Sequence, residues 1–188
     1  MVGIQPAVVR VAAFFRLPNG NHTFYWMRQA RKRCSAILFL SMDLPIPLIR
    51  EITLEDAAAA AVLSGELGYQ VTAEAMRPRI ESLLGLSDQT VYVACLSGKV
   101  VGWIDLAVSR HLASEPRGEI CGLVVSSEVR SCGVGGLLVE RAEQWARSRG
   151  LTEMLVRSRI TREDAHRFYL REGYTRVKTS AVFTKELS

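Results

Sequence analysis

The chain has 188 residues, 48% of them apolar, with a formal charge of +5, enough for one domain with a buried core and an extension but short for two domains. Residues 1–42 hold six cations (Arg10, Arg16, Arg28, Arg31, Lys32, Arg33) and no acid, which leaves −1 for residues 43–188, so the body lacks the electrostatic footprint of a nucleic-acid binder. Four dispersed cysteines without C-x-x-C spacing argue against a metal site and a disulfide framework and point to a reducing cytoplasm.

Residues 1–41 show scattered aromatics, Pro6, Pro18 and no sustained period. This basic N-terminal extension reads as a poorly ordered tail, or as sequence ahead of a natural beginning at Met42. Its apolar run from Ala36 to Leu40 is far shorter than the roughly 20 residues a membrane span needs. Residues 42–188 form the expected domain. Leu48–Ile52 reads as a first strand, and Thr53 with Asp56 three residues on opens an alanine-rich helix that Gly68 ends. A second helix is expected over 72–84. Residues 90–96 and 99–109 are β-rich and meet at Ser97-Gly98, a hairpin signal. A strand over 119–125, a helix over 133–148 closed by Gly150, a strand over 153–158, a helix over 162–172 closed by Gly173 and a last strand over 176–184 complete the chain. The order β-α-α-β-β-β-α-β-α-β is an α/β (α+β) mixed sheet covered by helices.

Between the strand over 119–125 and the next helix runs Arg130-Ser131-Cys132-Gly133-Val134-Gly135-Gly136. The helix it opens has apolar residues at helical spacing, including Val134, Leu138, Ala142 and Trp145. Free backbone N–H groups and the positive end of the helix dipole therefore meet at glycines that let an anion approach, which suits a pyrophosphate. The same glycines also suit a tight turn and close packing alone. A P-loop would need Gly-Lys-Ser/Thr, and a dinucleotide fingerprint would need glycine where Leu138 stands.

The segment matches Gln/Arg-x-x-Gly-x-Gly/Ala through Arg130, Gly133 and Gly135. Ahead of it lies Leu123-Val124-Val125, and after it come Ala165-His166-Arg167-Phe168-Tyr169 and Gly173-Tyr174. Together these resemble the GNAT superfamily of N-acetyltransferases. The resemblance implies a GNAT-like fold, acetyl-CoA as cosubstrate and direct acetyl transfer to a primary amine of a small molecule or peptide, with a homodimer as one allowed assembly. It also implies cofactor contacts from Leu123, Val124, Val125 and residues 130–136, and from Ala165 and Phe168. Arg162 stands where many relatives have an asparagine that touches the cofactor, and it is expected to reach the pantetheine or a phosphate, or to pair with Glu119 or Glu163.

Acyl transfer from a thioester needs a neutral amine, a polarised carbonyl and a proton for the thiolate. Tyr169 resembles the family's general acid, and Glu119, 11 residues before Arg130, has the spacing of a general base. A backbone N–H near Val125 is expected to meet the oxyanion. Cys132 reads as a small filler, and His111 and His166 as surface or packing residues. Tyr69, Trp103, Asp105 and Glu115 are candidates to line a pocket for a cationic amine. The competing reading is a module that senses acyl-CoA without turnover.

Overall fold

The computed structural model describes residues 46–187; the basic extension and Met42 lie outside them. Five strands and four helices follow in order. They are β1 (Leu48–Glu51), α1 (Ala57–Glu66), α2 (Ala73–Leu83), β2 (Gln89–Leu96), β3 (Lys99–His111), β4 (Ser114–Val125), α3 (Val134–Ser148), β5 (Met154–Val156) and α4 (Glu163–Arg171). The strands lie side by side in sequence order, antiparallel from β1 to β4, with β5 parallel to β4. The β2–β3 hairpin turns on Ser97 (φ 49°) and Gly98 (φ 78°), the two positive-φ residues that match the twist of the flanking strands.

Strand alternation puts a different core on each face of the sheet. On one face Val91 and Val93 pack with Ala57 and Ala60 of α1 and Ile80 of α2. The small side chains of α1 bring that helix close to the sheet. On the other face Tyr92, Ile104, Leu106 and Ile120 meet the apolar stripe of α3, with Leu138, Ala142 and Trp145 fully buried. Phe168 and Tyr169 of α4 join this second core. Among the described residues no helix is long and apolar enough to cross a membrane.

Two expectations are corrected. β4 begins at Ser114, five residues before Glu119, so Glu119 is paired on both sides, with Ala107 of β3 and Leu155 of β5. Pro116 does not stop the strand because it lies beside a register irregularity in the ladder and is exposed, a place where a missing N–H is tolerated. The last strand does not form. Residues 176–187 have no regular structure, and Val177, Val182 and Phe183 are 77%, 86% and 91% exposed. β5 offers only three residues of edge, too few to hold a partner whose side chains find nothing to bury against.

Entry into α1 depends on one carboxylate. Asp56, only 6% exposed, accepts both terminal nitrogens of Arg50 at 2.6 and 2.8 Å and the Thr53 N–H at 2.8 Å. The Arg50 hydrogen bonds, more than any other contact, hold its carboxyl below the usual aspartate range. A depressed folded pKa adds stability that is complete above about pH 4 and is lost as pH falls through the folded value. Asp56→Asn is expected to lower stability at pH 7 by about 1–2 kcal/mol, since Arg50 is partly solvated. In denaturant titrations the gap to the wild type should close as pH falls below about 4.

Candidate functional site

β4 is 12 residues long, but β5 pairs with it only at Gly118, Glu119 and Ile120. A bulge follows at once. Asp105 pairs with Gly122 and Leu106 with Ile120, so Cys121 is the extra residue on β4, and bulges bend and twist the strand that carries them. Among the described residues no strand covers the β5-facing edge of residues 121–125. Leu123 and Val125 face the α3 core, and Val124 is buried against the opposite face beside Trp103.

Beyond β4 the chain makes a short 3-10 turn (Ser127–Val129) and climbs through Arg130 and Ser131 (φ 66°) to Gly133 (φ 87°), the N-cap of α3. Gly133 has no side chain with which to cap the helix. The first backbone bond of the helix runs from the Leu137 N–H to the Gly133 carbonyl at 3.2 Å, so the N–H groups of Val134, Gly135 and Gly136 have no acceptor within it. No acid lies in the first turn, and the positive end of the helix dipole is uncompensated there. Cys132 is exposed beside it.

Not every glycine of the turn serves the opening. A Cβ on Gly135 would stand 3.1 Å from the Phe168 ring and 3.8 Å from Val125, so this position makes room for α4, while Gly136 is buried within α3. The Arg130 side chain turns away from the glycines. It donates to Glu66 Oε2 of α1 at 2.6 Å and to the Val125 carbonyl at 3.3 Å. Glu66 also accepts the Ser127 N–H at 2.9 Å.

Arg162 is the N-cap residue of α4 and donates to the Leu67 carbonyl, at the end of α1, at 2.8 Å. No ion pair joins it to Glu119 or Glu163; Glu119 is paired with Arg157 and Glu163 with Arg167. Half-buried Ala165, Phe168 and Tyr169 line the inner side of α4. The Tyr169 ring meets Phe168 edge-on at 5.1 Å and Tyr174 at 5.6 Å. Burial pushes the Tyr169 phenol up to about 12, with the charge of Arg162 pulling the other way. Tyr174 is raised by the same cause, and its hydroxyl is buried without a hydrogen-bond partner among the described residues.

On the α1/α2 face a cavity of about 240 Å3 brings together Tyr69, Trp103 and Asp105, three of the four residues expected to receive an amine, with Arg79 of α2. Glu115 is not among them; it is exposed at the start of β4. Glu119 stands on the same face of the sheet as Asp105, through its pairing with Ala107. His111 bonds Ser109, and His166 bonds the Arg159 carbonyl, both at the surface. Glu66, Arg79 and Arg157 carry no sequence signal, because each earns its place through contacts made only when distant segments meet.

The Acetyltransferase (GNAT) family matches residues 57–174. The aminoalkylphosphonate N-acetyltransferase of Salmonella typhimurium (strain LT2) is 36% identical over 152 residues, which is 77% of this chain and 94% of the relative. The aminoglycoside N(6')-acetyltransferase type 1 of Klebsiella aerogenes is 28% identical over 148 residues, covering 75% and 97%. Among solved structures, aminoglycoside N-acetyltransferase AAC(6')-Iy in complex with CoA shares the fold with a TM-score of 0.71 at 17% identity, over 79% of this chain and all of the other.

The contact between Gly135 and Phe168 yields a test by size exchange. Gly135→Ala is expected to cost about 1 kcal/mol through overpacking. Combined with Phe168→Leu, the pair should be less destabilised than the sum of the two single changes in a double-mutant cycle read by chemical denaturation. Strict additivity would mean that the ring and the glycine do not constrain each other.

Proposed function

Since the chain belongs to the Acetyltransferase (GNAT) family, we propose that its opened β4 edge and bare α3 terminus take acetyl-CoA and that Tyr169 and Glu119 move the protons of acetyl transfer to a small-molecule primary amine. The observation that carries this reading is the meeting of three features: a strand edge without a partner among the described residues, a helix N-terminus with neither side-chain cap nor acid in its first turn, and a tyrosine of α4 packed against the core that α3 covers. The backbone of residues 131–136 suits a pyrophosphate, for which unsatisfied N–H groups and an uncompensated dipole are the matching donors. The edge over Leu123–Val125 suits the amides of a pantetheine arm as an added strand would. Ala165 and Phe168 give the arm an apolar wall. Arg130 and Arg162 act as frame, since both lead to the last turn of α1.

In the reaction the amine nitrogen bonds to the acetyl carbon and the bond from that carbon to sulfur breaks. Glu119 takes the proton of the acceptor ammonium through water, its carboxylate oriented by Arg157. A backbone N–H near Val125 meets the oxyanion. Tyr169 gives its hydroxyl proton to the departing sulfur, and the second proton, shed by the nitrogen as the amide forms, passes through water to return the tyrosinate to its phenol. Its raised pKa keeps it protonated at neutral pH, and the nearby positive charge of Arg162 offsets part of what burial adds to the cost of releasing the proton. Cys132 has no step in a direct transfer.

Thiol release from acetyl-CoA with a panel of small amines tests the activity, and calorimetry with coenzyme A tests the cradle. Tyr169→Phe is expected to lower kcat by roughly 10²- to 10⁴-fold and to leave acetyl-CoA affinity within a few-fold. A sensor without turnover would show no rate to lose. Glu119→Gln should also slow the reaction, and its defect should ease at higher pH, where more of the amine is already neutral, while that of Tyr169→Phe should not. Wild-type turnover in Tyr169→Phe with chemistry rate-limiting would remove the general-acid role.

A further inference from the structure

The cavity between α1, α2 and the sheet is dipolar. Asp105 lies on β3, where it pairs with Gly122 of β4, one strand in from the uncovered edge, and among the described residues no cation pairs with its carboxylate. Burial holds its carboxyl above the usual aspartate range, with only the Leu106 N–H working the other way. An unpaired carboxylate in such a place is costly unless a ligand supplies the positive charge. Tyr69 and Trp103 offer aromatic walls of the kind that favour a cation. The Trp103 Nε1 is buried with no acceptor among the described residues, an unmet donor that suits an acceptor atom from a ligand. Arg79, on exposed α2, lines the same cavity and forms no ion pair among the described residues. The volume of about 240 Å3 lies below the range usual for drug-sized ligands.

Resting on the acyltransferase reading above, we infer that the acceptor is a short zwitterion, an alkyl chain with an ammonium at one end and an oxyanion at the other. The ammonium meets Asp105, one strand in from the open edge of β4, and the oxyanion meets Arg79. This polarity sets the reacting nitrogen toward the thioester. It also disfavours diamines and aminoglycosides, whose further ammonium groups would face the guanidinium and whose bulk exceeds the cavity.

A matched series decides the matter: 3-aminopropylphosphonate, 4-aminobutyrate, propylamine, 1,3-diaminopropane and the two-ring aminoglycoside neamine, each assayed by thiol release with the full-length protein. One of the two zwitterions should exceed propylamine and the diamine in kcat/KM by roughly ten-fold or more, as a charge-assisted contact provides. The comparison of phosphonate with carboxylate identifies the oxyanion. Arg79→Gln should shrink the ratio of zwitterion to propylamine roughly ten-fold, and Asp105→Asn should lower kcat/KM for the zwitterion roughly a hundred-fold with an unchanged melting temperature. A preference for neamine or the diamine, or a ratio indifferent to Arg79→Gln, overturns the inference. Coenzyme A binding with no turnover of any of the five overturns it too and leaves the family reading of the cofactor side intact, whereas loss of coenzyme A binding in the wild type overturns that reading itself.

Discussion

Parallel pairing between β4 and β5 ends after three residues, and the rest of the site depends on that termination. Had the two strands stayed paired, the backbone of residues 121–125 would be spent on the ladder. Two local features accompany the divergence. Gly118 lets the strands approach closely at the start, since a Cβ there would stand 2.4 Å from the Met154 sulfur. The bulge at Cys121 then turns β4 just past the last shared residue.

An opening of this kind needs bracing, and α1 provides it. Glu66 holds both Arg130 and the Ser127 N–H, and the next residue, Leu67, holds Arg162 with its carbonyl. Arginines at the negative end of α1 and a bare positive end at α3 give the mouth a consistent polarity. These contacts join segments some 60 to 95 positions apart in the chain, so the glycine-rich turn and the start of α4 are fixed relative to the same helix turn. Tyr169 lies within this frame, its orientation set by edge contacts to Phe168 and Tyr174.

Much of this was legible in the amino-acid order because its causes are local. Positive-φ glycines end or begin helices at Gly68, Gly133, Gly150 and Gly173, and the apolar spacing of α3 follows from its contact with one face of the sheet. The illegible parts have nonlocal causes. Glu119 reads as a strand start because Pro116 looks like a breaker, and only the ladder with β3 shows that the strand runs through it. Arg130 reads as a cofactor contact from its motif, and its pairing with Glu66, 64 residues earlier, could be seen only in the fold. Residues 176–184 have strand-like composition but lack a surface to cover. Asp105 was legible as a pocket candidate, whereas Arg79 was not, since nothing in its neighbourhood distinguishes it from any other cation on an exposed helix.

The Trp103 ring lies across Gly122, where a Cβ would come within 2.8 Å of it. The depth of the cavity between α1, α2 and the sheet is thus governed by a single missing carbon on a strand whose edge past residue 120 is left uncovered among the described residues. Enlarging residue 122 would displace the indole and reshape the cavity floor without altering α3, the glycine-rich turn or α4. Under the proposed function, a single codon at this position would retune the choice of amine while the proposed cofactor cradle is left as it is, so acceptor range and cofactor binding can diverge separately.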